Sequence, residues 1–416
     1  MPHIPVKVVI AGFLTLTLAA SAVKPGPNCT LATQSIAFHL RYPARTVPDA
    51  ELATFVTELS SIGSATNGNP GPVVREYAEK YFGKEGLELA LPPTRPTSVS
   101  DVFLVQRYGT TVAAIKVFRE GAASLTAELA AMDTLRTANL RHLKPVRMID
   151  VKKLTLDGQP VPVLMMGAAK GVDLEEQIRN VGWQDPATLI RAVSAVGLGL
   201  GELHRTLRVS HDKVSPDRFT YNRAHEVKRV REALGEKRVL DSLLEKGWMT
   251  ADELAKAKVA IEGLVADFEK SPADVVAVTH GDAHQGNFFF DSATGDTSTI
   301  DAQTLTYSLS AREVDGTVIP QGTCEANADV GRFLEALEHN GLAAHLSTSQ
   351  IGTLQSAFMN SYVKESGFSQ ATAKQHVEFY RLRYFLITQY KPDGKKYDAE
   401  TRQRILDQFL RRIGAR

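Results

Sequence analysis

Between Val278 and Asp291 the chain reads VTHGDAHQGNFFFD, with two histidines, two aspartates and an asparagine set against three consecutive phenylalanines. An apolar flank of this kind marks a strand entering a core, and a polar knot at its mouth marks a candidate site. Asp282 and Asn287 stand five positions apart. Phosphoryl transfer has a use for both: an aspartate accepts or orients the proton of the attacking hydroxyl, and an amide oxygen helps hold magnesium on the nucleotide phosphates. A second carboxylate must bridge that metal. FFFDSATGDTSTID offers one, because two β-prone arms flank an Ala293–Asp296 turn and end at Ile300-Asp301.

Several elements must position these groups. DVFLVQRYGTTVAAIKVF has two β-forming halves around Tyr108-Gly109 and reads as a hairpin. SLTAELAAMDTL reads as a helix with Ser124 as its N-cap. PVPVLMMG is a further strand, and Asp173 with Glu176 has the spacing of a capping box for the next helix. Asp185-Pro186 opens a longer helix. Its apolar stripe runs Leu189, Val193, Val196, Leu200, Leu203, Leu207 at alternating steps of four and three. His204 beside that stripe reads as a packed structural histidine. Upstream, PDAELATFVTELSSIGS and GPVVREYAEKYFG read as two helices, before the proline-rich break LPPTRPTSVS.

The loop resembles that of the aminoglycoside phosphotransferase and choline kinase group, the small-molecule branch of the protein-kinase-like fold. His280, Gly281, Asp282 and Asn287 match its H-G-D-x-x-x-x-N pattern, and Ile300-Asp301 matches its metal strand. VAAIKVF is similar to the strand that carries the phosphate-holding lysine, here Lys116. The resemblance implies that Ala114 packs over adenine and that Glu128 pairs with Lys116. It implies that Asp282 acts on the acceptor hydroxyl, that Asn287 and Asp301 hold magnesium, and that His280 and Asp329 support the loop. The glycine-rich phosphate loop is missing, and Ser98 and Ser100 stand near its place as donors to phosphate. The implied fold is α+β and bilobal, with a small antiparallel-sheet lobe and a mostly helical large lobe. ATP and Mg2+ are expected in the cleft between the lobes.

Each residue also has a plainer reading. Lys116 alone is an exposed strand lysine, Asp301 a hairpin end, Asn287 a turn residue and Asp282 a loop cap. The order Lys, Asp, Asn, Asp in matching contexts favours the kinase reading. It implies an ATP-dependent phosphotransferase with a small-molecule hydroxyl acceptor. A secreted kinase-like protein acting on a protein substrate, and a non-catalytic kinase-like binding module, stay as alternatives. The absence of the H-R-D arginine and of A-P-E speaks against the former, and the intact polar set speaks against the latter.

The chain of 416 residues has length for about two or three domains. Its 43% hydrophobic and 23% charged residues are ordinary for globular proteins, and a net charge of +1 gives no field that points to nucleic acid. The two cysteines, Cys29 and Cys324, form no zinc pattern. Residues 1–22 have the layout of a signal peptide, with a weak basic start, a short apolar run and Ala20-Ser21-Ala22. That layout predicts export, oxidation of the two thiols as a linked expectation, and no stable membrane insertion once the leader is removed. Cytoplasmic and membrane-anchored forms are the alternatives. The expected organisation is then a helical extension over residues 23–97, a small lobe over 98–168 and a large lobe over 169–416.

Overall fold

Tyr108 and Gly109 both take positive φ, 50° and 78°, as do Asp157 and Gly158, 50° and 77°. Two-residue turns of this hand match the twist of the strands they join, so each closes a tight antiparallel hairpin. These turns organise the first of two units in the computed structural model. The structure describes residues 70–92, 100–119, 122–208, 216–235, 238–271, 277–302, 305, 311–314, 317–320, 325–368, 370–389 and 396–416. The leader, Cys29, Ser98 and Cys324 lie outside them.

The first unit takes in the described residues up to Asn139, Pro145–Ala169 and the short stretch from Ile300. Helix α1 (Gly71–Phe82) leads to β1 (Leu87–Ala90), β2 (Ser100–Arg107), β3 (Thr110–Phe118) and α2 (Ala122–Ala138). Strands β5 (Met148–Leu156) and β6 (Gln159–Gly167) follow β4 (Leu143–Pro145). The sheet has the order β1-β2-β3-β6-β5 and is antiparallel throughout.

Strand alternation sorts its residues onto two faces. Ala113, Ile115 and Val117 pack with Val74, Tyr77 and Ala78 of α1. Phe118 and Ala114 pack with Leu125, Leu129 and Met132 of α2. Of the helical extension expected over residues 23–97, residues 70–92 are described; α1 packs on the sheet and β1 pairs with β2, so the sheet has a helix on each face. Helix α2 starts at Ala122, so Ser124 sits inside its first turn rather than at its cap.

The second unit comprises Leu140–Lys144, Lys170–Thr299 and the described residues after Leu305. Asp173 ends β7 (Val172–Asp173) and caps α3 (Leu174–Asn180) by accepting from the N–H groups of Glu175 and Glu176. Glu176 does not reciprocate; its carboxylate takes Asn180 Nδ2 at 3.4 Å. Asp185 caps α4 (Pro186–Thr206), whose stripe from Leu189 to Leu203 is buried as expected. Helices α5 (Pro216–Ala233), α6 (Val239–Glu245) and α7 (Ala251–Lys270) precede β8 (Phe288–Phe290) and β9 (Thr297–Thr299). A small sheet orders as β4-β9-β8-β7. The ribbon of β10 (Ala311–Val314) and β11 (Thr317–Pro320) precedes α8 (Ala326–Ala343), α9 (Thr348–Ser366), α10 (Gln370–Tyr384) and α11 (Ala399–Arg412). No helix among the described residues is long and apolar enough to cross a membrane.

Glycines on α4 let it approach α9 closely. A Cβ on Gly197 would lie 2.5 Å from the Phe358 carbonyl oxygen, and one on Gly201 would lie 2.8 Å from that of Tyr362. Backbone cannot yield as a side chain does, so Gly197→Ala should lower unfolding free energy by about 1–3 kcal/mol. Chemical denaturation would read this loss, and an unchanged midpoint would refute the close contact.

On α8, Glu335 is fully buried and accepts from Arg381 (3.2 Å), with Arg412 at 2.8 Å and His339 at 3.2 Å. Burial alone would raise its pKa, but Arg412, His339 and Arg381 outweigh it and hold the carboxyl at about 2. A depressed acid contributes stability above its unfolded pKa and loses it as pH falls through the folded one. The window therefore runs from about pH 4.5 down to about 2, with roughly 3 kcal/mol at stake. Glu335→Gln should flatten the acid limb of the stability profile in that window while lowering stability at neutral pH.

Candidate active site

Lys116 reaches the site from the middle of β3, on the face that carries Ala114 and Phe118. Its ammonium is almost wholly buried and stands 3.2 Å from Glu128 Oε2, on α2. The Asp301 carboxylate also meets Lys116. Asp301 follows Ile300, which packs against the α2 side of the sheet core. Its φ of 52° is a left-handed conformation that aspartate tolerates better than most residues. Burial penalises the charged lysine, but Asp301 and Glu128 more than offset this and hold its pKa above the ordinary value. One cation cannot neutralise two carboxylates, and the fully buried Glu128 is the one pushed up, by burial and by Asp301. Lys116 is thus a charged, preorganised ammonium rather than an exposed strand lysine.

In the second unit the loop after Val278 is fixed by its backbone. Asp329, near the start of α8, is fully buried. Its Oδ2 accepts from the His280 N–H at 2.6 Å and its Oδ1 from the Gly281 N–H at 2.8 Å. His204 Nε2 lies 3.0 Å from the same carboxylate, and its Nδ1 lies 2.9 Å from the Tyr362 hydroxyl. Gly281 takes φ 77°, which a side chain would oppose. His280 Nδ1 accepts the Asp282 N–H at 3.3 Å, so Nε2 carries the proton toward Thr299 Oγ1 at 2.9 Å. That hydroxyl in turn donates to the Asn287 carbonyl at 3.1 Å. The hairpin register Phe288↔Thr299 makes this possible. Both His204 and His280 therefore hold the loop.

Asp282 itself is partly exposed, and its Oδ1 atom is buried against the Arg332 guanidinium, with which it forms an ion pair. Asn287 donates its Nδ2 to the Asp282 carbonyl at 2.8 Å, which leaves its Oδ1 as the end able to ligate a cation. Gln285 is fully buried and anchors the loop to α8, donating to the Phe333 carbonyl at 2.8 Å and accepting from Asn340 at 3.0 Å. Carboxylate and amide oxygens are hard donors that suit magnesium, which takes only one or two carboxylates when phosphates supply the rest. No group of three or more His, Cys, Asp or Glu side chains gathers in metal-binding geometry among the described residues.

The structure brings Lys116, Glu128 and Asp301 together in the first unit, and His280, Asp282, Asn287 and Asp329 together in the second. Ala114 shares the face of Lys116 and packs on the α2 cluster. Ser100 is buried as the first residue of β2, in register with Phe118. The sequence reading missed Arg332, which forms an ion pair with Asp282. A signal was present: Arg332 lies three residues after Asp329 and so on the same face of α8.

A family model described as the phosphotransferase enzyme family (APH) matches residues 96–311, more than half of the chain. The comparison with curated proteins found no match. Among solved structures, the chain is similar to a thermostable mutant of aminoglycoside phosphotransferase APH(4)-Ia in a ternary complex with ADP and hygromycin B. That match has 13% identity and a TM-score of 0.45, covering 81% of this chain and 98% of that one. Another is the GDP complex of wild-type aminoglycoside 2'-phosphotransferase-IIIa, at 11% identity and TM-score 0.37, covering 75% and 98%. A third is the apoenzyme of macrolide 2'-phosphotransferase MphH from Brachybacterium faecium, at 12% identity and TM-score 0.38, covering 79% and 95%.

Proposed function

Because the chain belongs to the phosphotransferase enzyme family, we propose that it moves the γ-phosphate of ATP, taken as its magnesium complex, to a hydroxyl of a small molecule. The observation that carries this reading is the meeting of Lys116 with both Glu128 and Asp301, the latter 185 positions along the chain. A structural ion pair needs one carboxylate. Two around one lysine suit a site where one of them also serves a metal.

Lys116 neutralises charge on the nucleotide phosphates, and Glu128 fixes its position. Asp301 and Asn287 are the residues that would hold magnesium, which offsets charge on the phosphates when bound. Ala114 offers an apolar face to the adenine, and Ser98 and Ser100 offer donors to phosphate. Asp282 receives the acceptor hydroxyl at its carboxylate. The bond from acceptor oxygen to γ-phosphorus forms as the bond to the β–γ bridging oxygen breaks. That oxygen leaves with the electron pair as part of ADP, and the hydroxyl proton passes to Asp282 and then to water. His280 and Asp329 keep the loop in register during this exchange.

Thermal melting with ATP alone, magnesium alone and both together tests the reading. A nucleotide site that needs magnesium should raise the melting temperature most with both, by mass action. The same midpoint in all conditions would refute it. We also propose export, on the pattern of residues 1–22. N-terminal sequencing from the native source should find a mature start at Val23, and an intact Met1 or Pro2 in a soluble cytoplasmic fraction would refute it.

A further inference from the structure

The backbone around Asp282 is fastened on both sides, but none of those fastenings fixes where its carboxylate points. Asp329 takes the N–H groups of His280 and Gly281, and the Asp282 N–H donates to His280 Nδ1 at 3.3 Å. The Asp282 carbonyl accepts from Asn287 Nδ2 at 2.8 Å. The side chain is met instead by Arg332, whose guanidinium pairs with Oδ1. His284 Nε2 stands 3.9 Å from the same oxygen, outside hydrogen-bond reach. The Asp282 side chain is 31% exposed while Oδ1 is buried, so the exposure falls on the rest of it, and Oδ2 is the oxygen left to the open side. Arg332 is itself held, with only 12% of its side chain exposed. Its guanidinium lies 4.9 Å from the centroid of the buried Tyr384 ring on α10. Helices α8 and α10 approach closely beside it: a Cβ on Gly331 would lie 2.6 Å from Tyr380 Cβ and 2.9 Å from the Val377 carbonyl oxygen.

We infer that Arg332 is a positioning residue for phosphoryl transfer: it holds Asp282 Oδ1 and thereby turns Oδ2 toward the acceptor hydroxyl. The inference rests on the phosphotransfer reading above and assigns that reaction a further residue, one that acts through Asp282. Phosphoryl transfer draws on placement of the attacking hydroxyl far more than on a strong base, so direction is what such a carboxylate needs. An aspartate with no partner has several staggered rotamers, and only one of them serves. Helix α8 then sets the loop twice: Asp329 fixes its backbone, and Arg332, one turn later, fixes the carboxylate.

The test measures ADP release from the full-length protein with MgATP, first with water as the acceptor and then with a panel of sugars, nucleosides, hydroxy acids and amino alcohols. Arg332→Gln should lower kcat by about 10²-fold, the cost of a small misplacement at the reacting centre, and leave the KM for MgATP unchanged. Arg332→Lys keeps the charge without the planar fork and should recover part of that loss. In the Asp282→Asn background, where no carboxylate is left to direct, Arg332→Gln should cost nothing further, because residues that act as a unit are not additive. Single-turnover measurement with radiolabelled ATP keeps that slow reaction in range. An arginine that only supports the fold would show its full loss in both backgrounds.

Equal losses in the two backgrounds, or an unaltered kcat in Arg332→Gln, would overturn the inference. Faster turnover by Arg332→Gln would overturn it too, since the ion pair would then be a latch that keeps the hydroxyl out. If Arg332→Gln does not fold, the same comparison is made with Arg332→Lys, and a loss that depends on the presence of Asp282 supports the inference while an independent one sinks it. A protein that transfers phosphate neither to water nor to any panel member fails the phosphotransfer reading, and this inference with it. A working phosphotransferase that is indifferent to Arg332 fails only the inference.

Discussion

Asp282→Asn should lower phosphoryl transfer by about 10²–10⁴-fold, the usual worth of a positioned proton acceptor. Asparagine keeps the shape of the side chain and removes its charge and its basicity. The loop should hold, because its fastenings lie elsewhere: Asp329 takes the N–H groups of His280 and Gly281, and Gln285 is tied to Phe333 and Asn340. Nucleotide binding should therefore stay close to normal, with the MgATP-induced melting shift of the parent protein. A pre-steady-state measurement of ADP formation separates the two effects. Turnover close to that of the unaltered protein would remove Asp282 from the reaction. A lost nucleotide shift would mean instead that the loop had collapsed, or that Asp282 serves the nucleotide rather than the acceptor.

How far the sequence reveals such a site depends on whether its parts are local. Asp282, Asn287 and the turn before Asp301 are spaced along one short stretch, so residue type and interval suffice to read them. The hairpin at Tyr108-Gly109 is equally local, since a residue pair that tolerates positive φ sits between two β-forming runs. Asp157-Gly158 carries the same signal for β5 and β6, although only the second strand had been read. Strand β1 was beyond reach. Its four residues, LELA, carry too little pattern, and it becomes a strand because β2 offers an edge. The surroundings of Asp282 were also illegible. Glu175, which packs on Gly286, lies in α3, and its partner Lys396 lies ahead of α11, and only tertiary packing brings such distant residues together. Charge balance at a site is a property of the fold, whereas the identity of the reacting group is written in a few adjacent residues.

Asp301→Ala should abolish the magnesium-dependent part of nucleotide binding while leaving the fold in place. The case for survival comes from charge counting in the first unit. Lys116 meets two carboxylates, so removing Asp301 leaves a matched pair with Glu128 at 3.2 Å. Removing Lys116 instead would leave the buried Glu128 and Asp301 with no cation between them, so Lys116→Met should be the less stable variant. In Asp301→Ala the pKa of Glu128 should also fall, because one of the influences that raise it is gone. Loss of groups that only orient a metal ligand weakens affinity by about 10–100-fold, so loss of a direct carboxylate ligand should cost no less. Calorimetric titration with ATP in magnesium and in EDTA measures this. The variant should bind ATP equally weakly in both, where the unaltered protein gains affinity with the metal. Normal MgATP binding by Asp301→Ala would show that Asp301 is only a counter-ion for Lys116 and that the metal carboxylate lies elsewhere in the chain.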